Sequence, residues 1–428
     1  KNGKKWNAHI YRGMKPSSLD DDDLSSAHHT KWCGHDCVIF GNEGLDDQVV
    51  EHHENTNATN RTRAIQDGEQ EVVAEEQKNV CSHWRRDESK RVDTLPTMDE
   101  LKSWEFDVLL YSENNLYRIV ETMLEYFNLY HAFNIDPNVM KEFIQKVIGS
   151  HLMLDYHNCY HAVGAMQSTF AFLVLTDVRK FLQDREVFAL LIGIFTHDVY
   201  HTGHNNDYHV KVKSDLAKKY KNESVMENHS IAKTIEMWRC SEINMDILSG
   251  CSDDDKRYIN KYFSEVILYT DPSNHGSLVE NMTKVVTDRI NNGIIAFDSS
   301  KEEDRILLGG MIAHASDISA TAHVHFEVAK DWTQRVTSEF RIQANLERNA
   351  GLVVTSYMDG LESEVKVAKM QIDFCRFMVL PLIKVLVLIL PKAVVLLEGL
   401  LQNIEGYKNI VATGGASSSL GALHINNS

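Results

Sequence analysis

Proline is scarce in this chain, six among 428 residues, and strand-like alternation bounded by turn signals is hard to find. Cysteine is thin as well: seven residues, an odd number spread over the whole length, do not make the disulfide framework of a secreted domain. A reducing compartment, the cytoplasm, is the expectation. Positive charge is in deficit, with a formal net charge of -17, which argues against a protein that grips a nucleic-acid backbone through clustered Lys and Arg. A small anion can still be held locally by metal. The one long apolar run, 377–397, is interrupted by Pro381, Lys384, Pro391 and Lys392, so it reads as a buried core helix and not a membrane span. There is no internal repeat and no visible secretory signal, and a first residue of Lys1 reads as the start of a fragment.

The composition is 43% hydrophobic, ample for a buried core in one large domain or two medium ones. Residues 1–94 read as an acidic leader of low periodicity, mobile or ordered by a partner, with four consecutive aspartates at Asp20–Asp23. Within it Cys33-Gly34-His35-Asp36-Cys37, near His28 and His29, lacks a second half-site for zinc and reads as a loop. Residues 413–428 read as a Gly/Ser-rich tail. From Met98 onward the apolar residues recur at threes and fours: Leu101, Trp104, Val108 and Leu109, then Leu116, Ile119, Val120, Met123, Leu124 and Phe127. An all-α, compact multi-helix domain over 95–412 follows. Its clearest helices are expected at 137–149, 162–181, 185–196, 253–269 and 331–348.

Histidines and aspartates are scattered across this domain in short clusters. They are Tyr156-His157-Asn158-Cys159-Tyr160-His161, His197-Asp198-Val199-Tyr200-His201-Thr202-Gly203-His204, Glu227-Asn228-His229 and His314-Ala315-Ser316-Asp317. Imidazole and carboxylate together suit a borderline divalent metal, and an adjacent His-Asp pair can serve two neighbouring ions. His157 and His161, four apart, would share one face of a helix. The apolar run Phe188–Phe195 reads as a buried helix that ends at His197 and holds it rigidly. Any one of these histidines alone is an ordinary hydrogen-bonded residue; the combination points to a hydrolytic metal site.

The order and spacing of these clusters resemble the catalytic domain of the class I 3′,5′-cyclic-nucleotide phosphodiesterases, of the His-Asp superfamily. The resemblance implies a dinuclear site with His161, His197, Asp198 and Asp317 as ligands of a tightly bound zinc, and Asp198 bridging to magnesium or manganese. It implies hydrolysis of a cyclic nucleotide to its 5′-monophosphate, with hydroxide from a water between the ions attacking phosphorus and His157 as general acid on the leaving 3′ oxygen. Glu227 matches the carboxylate that supports His157 and the waters of the second ion, and His201 completes the catalytic set. Gln371 and Phe374, ordinary helix residues by spacing alone, match the base-reading amide and the aromatic stacked on the base. Val336 matches the opposite apolar wall, and Tyr156 and Ile318 complete the nucleotide pocket. The partner implied is the cyclic nucleotide itself, with a homodimer or a protein bound through the leader left open.

Five positions differ from the family's pattern. An acidic residue is usual at Gly164, Asp at Tyr200, Pro at Thr202, a second His at Ser230, and in many relatives Asn at Ala320. Groups around a ligand shell orient the ligands and tune their basicity. The alternative to an active enzyme is thus a catalytically weakened relative acting as a nucleotide-binding or scaffold protein. Ala320, found in some guanine-preferring members, leans the reading slightly toward cyclic GMP, since a Gln amide can present either edge.

Overall fold

A computed structural model of the chain describes residues 91–238, 246–292 and 297–415. The acidic leader up to residue 90, with its Cys33–Cys37 segment, and the tail from 416 lie outside the described residues. The all-α expectation holds: among the described residues an isolated bridge of Val92 with Tyr111 is the only β pairing. The helices are α1 Met98–Leu101, α2 Glu113–Tyr126, α3 Leu129–Ala132, α4 Pro137–Gly149, α5 Cys159–Leu175 and α6 Asp184–Thr196. They continue as α7 Asn206–Lys211, α8 Asp215–Lys219, α9 Val225–Trp238, α10 Asp253–Leu268 and α11 His275–Asn291. The last five are α12 Glu302–Asp317, α13 Phe326–Asn349, α14 Glu364–Phe374, α15 Leu380–Ile389 and α16 Val394–Thr413.

Helix ends follow local chemistry. Asp136 caps α4 by accepting from Asn138 N at 2.8 Å, with Pro137 in the first turn where its missing N–H costs nothing. Ser252 caps α10, and Asp253, Asp254 and Asp255 sit at the positive end of its dipole. Other boundaries differ from the sequence reading. The apolar positions from Leu101 to Leu109 do not form one helix: α1 has four residues, Trp104 lies in the bend after it, and Val108–Leu110 is a 3-10 turn capped by Asp107. The helix expected at 162–181 begins at Cys159 and stops at Leu175, before the 3-10 turn Val178–Lys180.

The run 377–397 is not one helix either. A π-turn at Cys375–Val379 joins α14 to α15 just ahead of Pro381, which cannot donate to the helical ladder. The run then breaks at Leu390, held out of the helical region (φ -123°, ψ 76°) by the Pro391 that follows. Among the described residues no helix is long and apolar enough to cross a membrane.

The middle of the fold is α6, whose residues 187–196 are wholly buried, packed between α5 and α10 with α12 against all three. Gly309 and Gly310 on α12 allow the closest approach: a Cβ at either would overlap the Tyr262 hydroxyl or the Tyr269 ring. Glu186, in the first turn of α6, is fully buried, and its carboxylate accepts from Arg305 Nε at 2.8 Å, Tyr258 OH at 2.5 Å and the Gln183 N–H at 2.8 Å. Three helices are thereby fixed to one carboxylate. Removing one partner strands the other's charge in the core, so Glu186→Ala and Arg305→Met should each cost about 3–5 kcal/mol. Urea unfolding followed by circular dichroism would measure this, and a double variant as costly as the two singles added would disprove the coupling.

Candidate metal centre and active site

The ends of three helices deliver the charged groups. Asn158 caps α5, its Oδ1 accepting from Tyr160 N at 2.9 Å and His161 N at 3.3 Å, so His161 lies in the first turn. His157 therefore precedes the helix and does not share a helical face with His161, which corrects the sequence expectation. His197 follows the last turn of α6, and its Nδ1 lies 2.7 Å from the carbonyl of Ile194. Donating there leaves Nε2 as the nitrogen with a free lone pair. Asp317 is the last residue of α12.

The four predicted ligands come together. His161 Nε2 stands 3.3 Å from His197 Nε2, 3.0 Å from Asp317 Oδ1 and 3.3 Å from Asp198 Oδ2. His197 Nε2 is 3.1 Å from both carboxylates. Ligand atoms about 2.0–2.1 Å from one ion stand about 3.0 Å apart at neighbouring octahedral corners and about 3.4 Å apart at tetrahedral ones. The spacing and donor types fit a divalent ion, and His161, His197, Asp198 and Asp317 are a group that could hold one. Asp198 Oδ2 is buried and faces only the two imidazole nitrogens among the described residues, an oxygen that a cation would satisfy. Without an ion, burial disfavours the charge on His197, but Asp198 and Asp317 overcome it and hold the imidazole well above its usual pKa. Burial likewise opposes ionisation of Asp198, and His197 and His157 hold it well below the carboxylate range.

His157 occupies the bend before α5. Its Nδ1 is 2.5 Å from Glu339 Oε2, while Glu339 Oε1 accepts from the backbone N–H of Tyr156 at 2.6 Å and of His157 at 3.0 Å. Burial works against the imidazolium, and Glu339 with Asp198 more than compensates, raising its pKa to about 9. The ring stacks on His201 with centroids 3.8 Å apart. His201 is held well below its usual value by burial and by the charge on His157. Tyr156 packs against His161 at 4.5 Å and Trp332 at 5.6 Å.

Glu227 does not support His157. It accepts from Asn206 Nδ2 at 2.8 Å, and burial with the neighbouring Asp271 raises it to about 8. The carboxylate on His157 is Glu339, which the sequence reading missed because it lies 182 residues away on α13. A signal was present: Trp332, Val336, Glu339 and Gln343 follow helical spacing, so a Glu stands on the inward face of α13. The same face carries Gln343, paired reciprocally with Asn205 at 3.0 Å, and Glu347, which accepts from Lys211 Nζ at 3.2 Å and Thr355 N at 2.7 Å. These residues tie the chain around His201 to α13.

Gln371 is buried, its Nε2 donating to Thr333 Oγ1 at 2.7 Å; that oxygen also meets Tyr407 OH at 2.7 Å. Val336, half-buried, stands one turn from both Thr333 and Glu339. Phe374 ends α14 and Ile318 follows Asp317, each half-buried against the core. Tyr200 adopts a left-handed backbone (φ 59°) and is 39% exposed, its ring beside His229 and Lys233. Ser230 is fully buried and donates to the Val199 carbonyl at 3.0 Å.

Residues 156–400 match the family described as 3′5′-cyclic nucleotide phosphodiesterase, and the chain belongs to that family. It is 33% identical over 316 residues to the 3′,5′-cyclic-nucleotide phosphodiesterase regA of Dictyostelium discoideum, covering 73% of this chain and 38% of that protein. It is 30% identical over 295 residues to the dual specificity calcium/calmodulin-dependent 3′,5′-cyclic nucleotide phosphodiesterase 1 of Drosophila melanogaster, covering 68% and 34%. The chain thus spans little more than a third of the length of these two relatives. The crystal structure of the phosphodiesterase domain of the RhoPDE fusion protein from the choanoflagellate Salpingoeca rosetta superposes with a TM-score of 0.69 at 27% identity, covering 73% of this chain and 96% of that one. The fold is that of a phosphodiesterase catalytic domain.

The raised pKa of His157 gives a pH test on metal-free protein. A group raised from 6.5 to about 9 contributes stability in full below the unfolded value and loses it as pH rises through about 9. Urea midpoints should therefore fall between about pH 6.5 and 9 in the parent and fall less in Glu339→Gln. Parallel curves would remove Glu339 as the cause.

Proposed function

We propose that this domain hydrolyses 3′,5′-cyclic nucleotides to 5′-monophosphates. The observation that carries the reading is His157 held by Glu339 beside the four-residue ligand group. His161, His197, Asp198 and Asp317 would hold one ion, zinc on the family pattern, and Asp198 would also serve a second, magnesium or manganese, with Glu227 and His201 nearby. When bound, such ions polarise phosphoryl oxygens and lower the pKa of water. Water attacks phosphorus in line with the departing 3′ oxygen. His157, its Nδ1 engaged by Glu339, gives that oxygen a proton from Nε2, and the neutral His201 stacked on it fixes the ring.

Gln371 reads the base edge, Phe374 stacks on the ring, Val336 and Ile318 wall the pocket, and Tyr156 backs His161. Thr333 Oγ1 can donate or accept, so it can hold either orientation of the Gln371 amide, and the lean toward cyclic GMP rests on Ala320 alone. Tyr200 is turned to the surface beside Lys233, and Ser230 satisfies a backbone carbonyl, so neither substitution removes a group that this mechanism uses. That favours the active enzyme over a weakened scaffold.

Purified protein assayed with cyclic AMP and cyclic GMP in magnesium or manganese, with bound metals counted, is the direct test. Asp198→Ala should lose metal and hydrolysis together. His157→Asn should keep its metal and lower kcat by about 10²- to 10⁴-fold. Full metal with brisk turnover in Asp198→Ala would end the metal assignment, and unchanged turnover in His157→Asn would take that residue out of the mechanism.

A further inference from the structure

A ligating imidazole ordinarily gives its second ring N–H to an acceptor that fixes the ring and raises its basicity. His197 has one in the Ile194 carbonyl. His161 has none among the described residues: its polar side-chain contacts all run through Nε2. Beside His161 lies a cavity with about 50 Å³ open to the centres of water-sized molecules, several times the ~10–15 Å³ that one water requires. Two positions that depart from the family's pattern, Gly164 and Ala320, both line it. A Cβ on Gly164 would meet one side-chain atom within 4 Å, Val108 Cγ1 at 3.3 Å, a tight contact that a shift of a few tenths of an ångström by that valine would relieve.

The polar groups around this space are also short of partners. Ser168 and Ser316, both more than nine-tenths buried, line the cavity with hydroxyls that make no hydrogen bond among the described residues. His323 lines it too, its Nδ1 accepting from His325 N at 3.1 Å. Hydroxyls and imidazole N–H groups can all donate, and a buried donor without an acceptor costs about 1–3 kcal/mol. An acceptor-only ligand answers all of them. The nearest charge, Asp317, opposes an anion here unless an ion on His161, His197, Asp198 and Asp317 offsets it, so occupancy is coupled to metal.

We propose that the cavity beside Gly164 and Ala320 binds a small monocarboxylate, of formate or acetate size, which accepts from Ser168, Ser316 and the second nitrogen of His161 and tightens the hold on the metal. The assignment rests on the metal reading above. The test uses sodium formate, with sodium chloride at equal ionic strength as control, on the full chain loaded with Zn²⁺ or Co²⁺. Formate should saturably strengthen metal retention against a competing chelator, by about tenfold or more, and shift the visible spectrum of the Co²⁺ form.

Gly164→Asp, which places a carboxylate in the cavity, should hold metal tightly without formate and ignore it when added. Gly164→Asn, which fills the same space without charge, should also stop responding. A metal-holding parent indifferent to formate overturns the cavity assignment alone, even where Gly164→Asp tightens the metal. A formate response that persists in both variants overturns it as well, by placing the anion elsewhere. A parent that holds no metal and hydrolyses no cyclic nucleotide overturns instead the function proposed above.

Discussion

Two imidazole nitrogens stand 3.3 Å from each other and 3.0–3.3 Å from two carboxylate oxygens, four converging donor atoms that one divalent cation would satisfy together. Much of the structure serves to hold these groups at that distance. Three chain ends must meet: the first turn of α5, the residues just past α6 and the last residue of α12. Each is fixed by a different device. The Asn158 cap sets α5, the wholly buried run of α6 fixes His197, and the glycine pair on α12 lets the aromatics of α10 lie against its backbone.

α13 is the second organising element. Along one face of its 24 residues, Glu339 takes the backbone of Tyr156 and the ring of His157, Gln343 clasps Asn205, and Glu347 receives Lys211 and Thr355. The same helix presents Trp332 to Tyr156 and His161, and Thr333 to Gln371. One rigid rod thus reaches His157, the His161 region and Gln371. Buried polar stripes of this kind hold register because each member, left unpaired, would carry the full cost of desolvation.

The departures from the family's pattern divide by what surrounds them. Ser230 closes its own account by capping the Val199 carbonyl, and Thr202 by meeting His209 Nε2 at 2.9 Å. Tyr200 carries an aromatic side chain on a left-handed backbone, where only Gly, Asn and Asp sit easily, with its ring toward solvent. Gly164 and Ala320 are different in kind, since both border the same cavity as His161.

The sequence by itself determined the helical class, the helix at Pro137–Gly149 to the residue, the buried run that ends at His197, and the clusters from which the four converging His and Asp residues come. These are local or strongly periodic signals: a proline and an aspartate at a helix start, unbroken apolar residues, histidines and aspartates in short clusters. Only the tertiary structure decided that His157 lies outside the helix of His161, that the run 377–397 breaks in two, and that Glu339, not Glu227, holds His157. The break at Leu390 depended on how one proline resolves within a packed core. The pairing of His157 with Glu339 spans 182 residues, and no local spacing records which of many carboxylates folding will bring within hydrogen-bond reach of an imidazole.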